Sequence, residues 1–318
     1  MPIPETFEAV VLGKETVADG VVLLTLGRPD RGELPAWQPG AHIDLHLGEP
    51  PVIRQYSLCS SPTERDRYQV AVLREPDSRG GSAYVHDGLT LGDTILVSLP
   101  RNNFAQIEAK RYVFVAGGIG ITPMLPMIEA ARRAGADWTL LYGGRTAASM
   151  AFTEELVATG GERVSLRPQD EYGLLDLASL LAEPAPDTAV YCCGPEPLLK
   201  AVEAHCASWP KGSLHVERFS PAEGALDGPT TEFDVEFAQS GVTLTIPPGR
   251  SIIAVAEEAG IPVVYNCEEG TCGVCETPVL DGAPDHRDSV LTDQERQAGS
   301  CMMICVSRAR SPRLILDL

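Results

Sequence analysis

Long hydrophobic runs are missing from this chain of 318 residues; no stretch reaches the roughly twenty apolar residues that span a bilayer. A membrane-spanning role is therefore set aside. Basic residues are scarce, with 25 Lys and Arg against 44 Asp and Glu and a formal net charge of −19. Phosphate backbones would be repelled, which excludes nucleic acid as a partner. The opening Met1-Pro2-Ile3-Pro4-Glu5 has neither a basic region nor an apolar stretch, so no secretory signal is expected and the cytoplasm is the expected compartment. Nine cysteines are an odd number, and without an export signal they fit reduced thiols better than a disulfide framework. Internal repeats and low-complexity segments are also lacking. What is present is 44% apolar residues, enough length for two or three domains with full cores, and 30 Gly and 26 Pro to turn the chain between short elements.

The first hundred residues read as strands without helical period. His42–Leu47 and Tyr68–Leu73 alternate polar and apolar, Val21–Leu26 is apolar throughout, and Thr94–Leu99 continues the set. Turn signals at Gln38-Pro39-Gly40 and Leu91-Gly92-Asp93 separate them, which predicts an antiparallel β-barrel. From Arg111 strands alternate with helices: Arg111–Ala116, a helix through Leu125, Ile128 and Arg132, Trp138–Tyr142, a helix over 152–158, Thr188–Cys192, and a helix over 197–208. That order predicts a doubly wound parallel α/β sheet. The expected division is 1–105 for the barrel, 106–220 for the α/β domain, a Pro/Gly-rich linker at 221–231, and a third domain over 232–318. In that last domain Phe233–Phe237 and Val242–Ile246 predict a hairpin, and Ser251 caps a helix running to Ala259.

The most specific signal is Cys267, Cys272, Cys275 and, after 29 intervening residues, Cys305. This C-x4-C-x2-C…C spacing is that of a plant-type [2Fe–2S] cluster, in which two bridged irons need four thiolates. Gly270 and Gly273 let the loop curl and aim amides at the sulfurs. Zinc is the rival reading, but zinc sites favour two close cysteine pairs. Cys305 is preferred over Cys301 as fourth ligand because Met302-Met303-Ile304-Cys305-Val306 reads as a buried strand; Cys301 is then a packed or spare thiol. The domain carries fourteen acids against six arginines, a surface suited to steering a basic patch on a protein partner or simply to solubility.

Two loops in the α/β region invite a nucleotide. Gly117-Gly118-Ile119-Gly120-Ile121-Thr122-Pro123 follows a strand and opens a helix, so a pyrophosphate can approach the backbone; alone it is weaker than a G-x-G-x-x-G fingerprint. Cys193-Gly194-Pro195 ends a second strand of the same sheet. In the barrel, Arg54-Gln55-Tyr56-Ser57 sets a cation, a ring and a hydroxyl together, and Arg79-Gly80-Gly81-Ser82 precedes a helix as a phosphate cradle would.

Together these motifs resemble the phthalate dioxygenase reductase family over almost the whole chain, in the order flavin barrel, nicotinamide domain and β-grasp ferredoxin. The resemblance implies FMN, a [2Fe–2S] cluster and NADH, with NADPH left open by Arg145 after the second strand of the α/β region. It implies flavin contacts from Arg54, Tyr56, Ser57, Gly81 and Ser82, with Arg79 and Gly80 in the phosphate loop. Thr122 is placed against both nucleotides and Phe219 beside the flavin ring. Ser57 and Cys193 are expected to tune the flavin and nicotinamide faces. Cys301 departs from the family pattern. The expected function is a monomeric NADH-dependent reductase feeding a separate Rieske-type oxygenase or demethylase. A cytochrome P450 partner, a non-catalytic redox sensor and a general flavin reductase are the alternatives.

Overall fold

The computed structural model describes residues 5–76 and 80–318, and it divides into two compact units, Thr6–Glu217 and Arg218–Leu318. The first unit holds both the barrel and the parallel sheet. Six antiparallel strands, β1 (Thr6–Ala18), β2 (Val21–Gly27), β3 (His42–Leu47), β4 (Val52–Ser57), β5 (Tyr68–Leu73) and β6 (Thr94–Ser98), lie in the order β4-β3-β6-β1-β2-β5. A bridge between Leu58 and Val70 joins the two ends, closing the barrel. Alternation fills its interior: Ile43, Leu45 and Leu47 of β3 are buried with Leu24, Leu26, Val70 and Val72 from the facing strands. The helix Gly81–Asp87 connects β5 to β6.

The parallel sheet comprises β7 (Arg111–Gly117), β8 (Asp137–Gly144), β9 (Val164–Pro168), β10 (Thr188–Cys193) and β11 (Leu214–Glu217), ordered β11-β10-β7-β8-β9. Strand order reverses between β7 and β10, where such sheets open a crevice at their C-terminal ends. Helices Met124–Arg133 and Glu196–His205 cover it, so the central strands are the apolar ones: Tyr112–Gly117 of β7 and all of Thr188–Cys193 are buried. The sheet also packs on the barrel. Ile119, directly after β7, and Phe152 join a cluster with Val21, Ala71, Leu73 and Cys59. Gly40 leaves no room for a Cβ, which would lie 2.0 Å from the Phe104 carbonyl oxygen.

In the second unit β12 (Phe233–Phe237) pairs antiparallel with β13 (Val242–Ile246) and parallel with the final strand Arg313–Leu316. The predicted hairpin and its partner strand build a mixed sheet onto which helix Ile252–Glu258 packs; Ser251 caps that helix by accepting from the Ala254 amide at 3.1 Å. Among the described residues no helix is long and apolar enough to cross a membrane.

Candidate functional site

Three groups of residues carry chemistry. At the barrel, β4 presents Arg54 and Tyr56 on one face and Ser57 on the other. Arg54 lies across the start of helix Gly81–Asp87; a Cβ on Gly81 would sit 2.5 Å from Arg54 Cγ, so only glycine admits that side chain there. Gly80 takes φ 96°, which an L side chain rarely adopts, and Ser82 is buried with its hydroxyl accepting from the Glu75 amide at 3.1 Å. The guanidinium, the glycines and the serine therefore gather at one helix start, as a phosphate cradle requires. Arg79 lies outside the described residues. Tyr56 packs against the barrel core, and burial pushes its phenol up to about 12, keeping it a neutral ring. Ser57 is buried opposite His42 in β3.

At the sheet, the two expected loops are brought together and interlock. A Cβ on Gly120 would lie 2.3 Å from the Cys193 carbonyl oxygen, and one on Gly194 would lie 3.0 Å from Gly117 Cα. Gly117 would meet Pro195 Cδ at 2.7 Å. Close approach of loop to loop, as much as room for a pyrophosphate, therefore demands glycine at 120 and 194, where backbone atoms stand in the way, and crowds 117, where the near atoms belong to side chains. Gly118, at φ 55°, has open space where a side chain would start. Gly118–Ile121 forms a 3-10 turn, not yet the α-helix that begins at Met124 beyond Pro123. Ile121 is fully buried, a contact worth roughly 2 kcal/mol, and anchors the turn. Thr122 is buried and donates to the Ile119 carbonyl at 3.0 Å.

A residue that the sequence reading passed over sits beside this pair. Glu217 ends β11 in register with Cys193 of β10, and its Oε2 lies 4.0 Å from Cys193 Sγ. Burial pushes the Glu217 carboxyl up to about 8, and burial with that neighbouring acid drives the Cys193 thiol well above its ordinary value. Two protonated groups thus stand together at the sheet's C-terminal edge. An acid closing the strand Leu214-His215-Val216-Glu217 was the available signal. Phe219 follows β11 in sequence and is 44% exposed.

In the second unit Cys267, Cys272, Cys275 and Cys305 are all buried. Among the described residues no three ligating side chains converge on a single point. The four sulfurs instead form a chain of neighbours: Cys267 beside Cys272 and Cys305, and Cys305 beside Cys275. The Glu269 amide points at Cys267 Sγ from 3.4 Å. Thiol and amide donors pull Cys267 far below its ordinary value, while Cys272 and Cys305, as donors to it, are driven up. A stabilised thiolate ringed by thiols and amides suits a two-iron centre. Gly270 takes φ 71° with Asp288 Cα only 2.9 Å from where a Cβ would be. One expectation is corrected here. The strand is Cys301–Met303, and Cys305 lies in the turn after it. That turn, tied by the Ser307 amide to the Met303 carbonyl at 3.0 Å, is what carries Cys305 back to the loop. Cys301 pairs in register with Pro278 and lies near Glu276; burial pushes its thiol up to about 11.

Comparison with known proteins agrees with both nucleotide and cluster readings. Residues 235–310 match the 2Fe-2S iron-sulfur cluster binding domain and 114–204 the oxidoreductase NAD-binding domain. The phenoxybenzoate dioxygenase subunit beta of Ectopseudomonas oleovorans is 44% identical over all of this chain and 98% of its own. The structure of phthalate dioxygenase reductase, described as a modular structure for electron transfer from pyridine nucleotides to [2Fe-2S], is 37% identical with a TM-score of 0.73, covering 98% of each chain. An intact type IV self-sufficient cytochrome P450 monooxygenase reaches 45% identity and a TM-score of 0.91 over 98% of this chain, which spans 41% of that longer one.

Proposed function

We propose a function for this chain from the family to which it belongs, the phthalate dioxygenase reductases: it is the reductase that draws electrons from NADH and delivers them to a separate Rieske-type oxygenase. As an oxidoreductase of this family its cofactors are FMN, a [2Fe–2S] cluster and NADH. Bound together, the two prosthetic groups supply the division of a two-electron hydride into single electrons.

What the chain itself does follows from its residues. Arg54, Gly80, Gly81 and Ser82 hold a phosphate, with Tyr56 and Ser57 on the ring side. The interlocked loops at 117–123 and 193–195 seat the nicotinamide nucleotide, and Ile119 fixes that seat against the barrel. Glu217 keeps a proton on its carboxyl near neutral pH beside the Cys193 thiol, so the pair adds no fixed negative charge to the loop that would seat the nicotinamide. Cys267, Cys272, Cys275 and Cys305 would hold the irons, and loop amides such as that of Glu269, aimed at Cys267 Sγ, would favour a reduced, more negative centre.

One observation carries the proposal: a four-sulfur loop, a paired-loop nucleotide seat and a phosphate cradle occur in one chain. Support for the Rieske class comes from the full-length likeness to dioxygenase reductases. The high TM-score to the P450 chain supports a second reading, delivery to a haem oxygenase. The test mixes the NADH-reduced protein with purified Rieske and P450 oxygenases from the same genome. Fast reduction of the Rieske centre supports the proposal, fast reduction of haem alone selects the second reading, and failure of NADH to bleach the bound flavin overturns both.

A further inference from the structure

The loop after β8 reaches across to the barrel and carries a strained residue that no step so far has used. Thr146 and Ser149 cap each other: the Ser149 amide donates to Thr146 Oγ1 at 3.3 Å and the Thr146 amide to Ser149 Oγ at 3.1 Å. Held in that turn, the Ala148 carbonyl accepts from the Asp19 amide of the β1–β2 turn at 2.9 Å. Met150 and Ala151 are buried next, and a Cβ on Gly144 would lie 2.4 Å from Met150 Cγ. Phe152 follows and starts the helix Thr153–Gly160 with φ 62° and ψ 17°. Among the described residues four that are not glycine take a positive φ, and Phe152 is the only apolar one. A left-handed backbone under a bulky side chain persists only where the surroundings over-determine it.

The surroundings here are two apolar clusters. Phe152 packs against the core of the parallel sheet that includes Met150 and Leu156. It packs equally into the junction where Val21, Ala71 and Leu73 of the barrel meet Ile119 of the nucleotide seat. Its side chain has no polar atom to gain from the strained geometry, and no side-chain cap closes the helix start. What the strained backbone achieves is to place the ring in the wall between sheet and barrel.

We infer that the loop 145–152 is a bracket fixing the flavin barrel against the nicotinamide seat, with Phe152 as its positioning residue. The ring sets the separation of β2 and β5 from Ile119, and the Asp19–Ala148 bond ties the loop to the β1–β2 turn. Without the ring the two faces shift, and a misplacement of about 1 Å at a reacting centre costs on the order of 100-fold in rate. Binding of NADH, which the sheet's own loops provide, stays as it was. Rate therefore follows the ring, whereas stability follows ring and backbone together.

This inference rests on the NADH-to-flavin step proposed above, and the experiment separates the two. Holoprotein carrying Phe152→Ala, Phe152→Gly or Phe152→Leu is compared with the parent by thermal melting and by stopped-flow reduction of the flavin over a range of NADH concentrations. Glycine takes a positive φ without strain and alanine does not, so Phe152→Gly should melt about 2–4 °C above Phe152→Ala. Both should lose about 10- to 100-fold in limiting rate at an unchanged half-saturating NADH concentration, and Phe152→Leu, which refills most of the space, should recover most of the rate. The parent limiting rate in the alanine and glycine variants, a rate that rises with melting temperature from alanine to glycine, or a change confined to half-saturation overturns the inference. So does a glycine variant that melts below the alanine variant. Should the Phe152 variants lose their flavin, Asp19→Pro decides by the same kinetics. It removes the bridging amide at a turn where Gly20 follows at φ 71° and proline suits the preceding position. A lower limiting rate at unchanged half-saturation then supports the bracket, and the parent rate overturns it. Failure of NADH to reduce the flavin in the parent would instead sink the step on which the inference rests.

Discussion

Replacing Gly120 by alanine is the sharpest test of the nucleotide seat. The new methyl would stand 2.3 Å from the Cys193 carbonyl oxygen, 2.5 Å from its carbon and 2.8 Å from the Gly194 nitrogen. All three are backbone atoms, so no rotamer change relieves the contact. Ordinary van der Waals contact begins near 3.4 Å, and the loops must part by about 1 Å. Overpacking of this kind costs about 1–3 kcal/mol. A misplacement of about 1 Å at a reacting centre costs on the order of 100-fold in rate. Gly117→Ala supplies the control, because its methyl would meet only the side-chain atoms Pro195 Cδ and Leu198 Cδ2, at 2.7 and 2.8 Å, the second of which can swing away. The assay is flavin bleaching by NADH in a stopped-flow instrument, with FMN and iron contents as checks on the other two sites. Gly120→Ala should keep both prosthetic groups and lose roughly 100-fold in kcat/KM for NADH; Gly117→Ala should lose much less. Native rates in Gly120→Ala, or equal losses in the two variants, would refute the interlock.

Gly81→Ala should weaken FMN retention on gel filtration about as much as Arg54→Ala, although glycine offers no side-chain ligand, because the methyl displaces Arg54. For Glu217, the unfolded carboxyl releases its proton near 4.5 while the folded one keeps it to about 8. Its contribution to stability is therefore full below 4.5 and lost as pH rises through 8, on the order of a few kcal/mol. Thermal melts at pH 5.5 and 8.5 should show a drop in the parent that Glu217→Gln reduces; an undiminished drop excludes the assignment. Cys305→Ser should lose iron and acid-labile sulfide while Cys301→Ser keeps both, and the reverse outcome would exchange their roles.

Where hydrophobic period was strict, the sequence was legible. β3 and β5 have the bounds that alternation predicts, since each buries one face in the barrel. β1, thirteen residues long, escaped notice because register shifts between Val11 and Gly13 and between Thr16 and Ala18 break its alternation. The cysteine spacing named the cluster loop without help from tertiary structure, but placing Cys305 in a strand failed, because the apolar run Met302–Val306 continues through a turn. Glu217 was hidden for a different reason: its partner lies 24 residues away and only the parallel pairing of β10 with β11 sets them side by side. The glycines of 117–123 were read as making room for a ligand, whereas much of their necessity comes from a second loop whose arrival no local pattern announces.

The interlock of those two loops also constrains exchange between relatives. A chimera that imports the segment at 117–123 without its counterpart at 193–195 inherits half of a lock and none of its key. Recombination, natural or designed, should therefore tolerate crossovers outside the stretch from β7 through β10 and reject those within it.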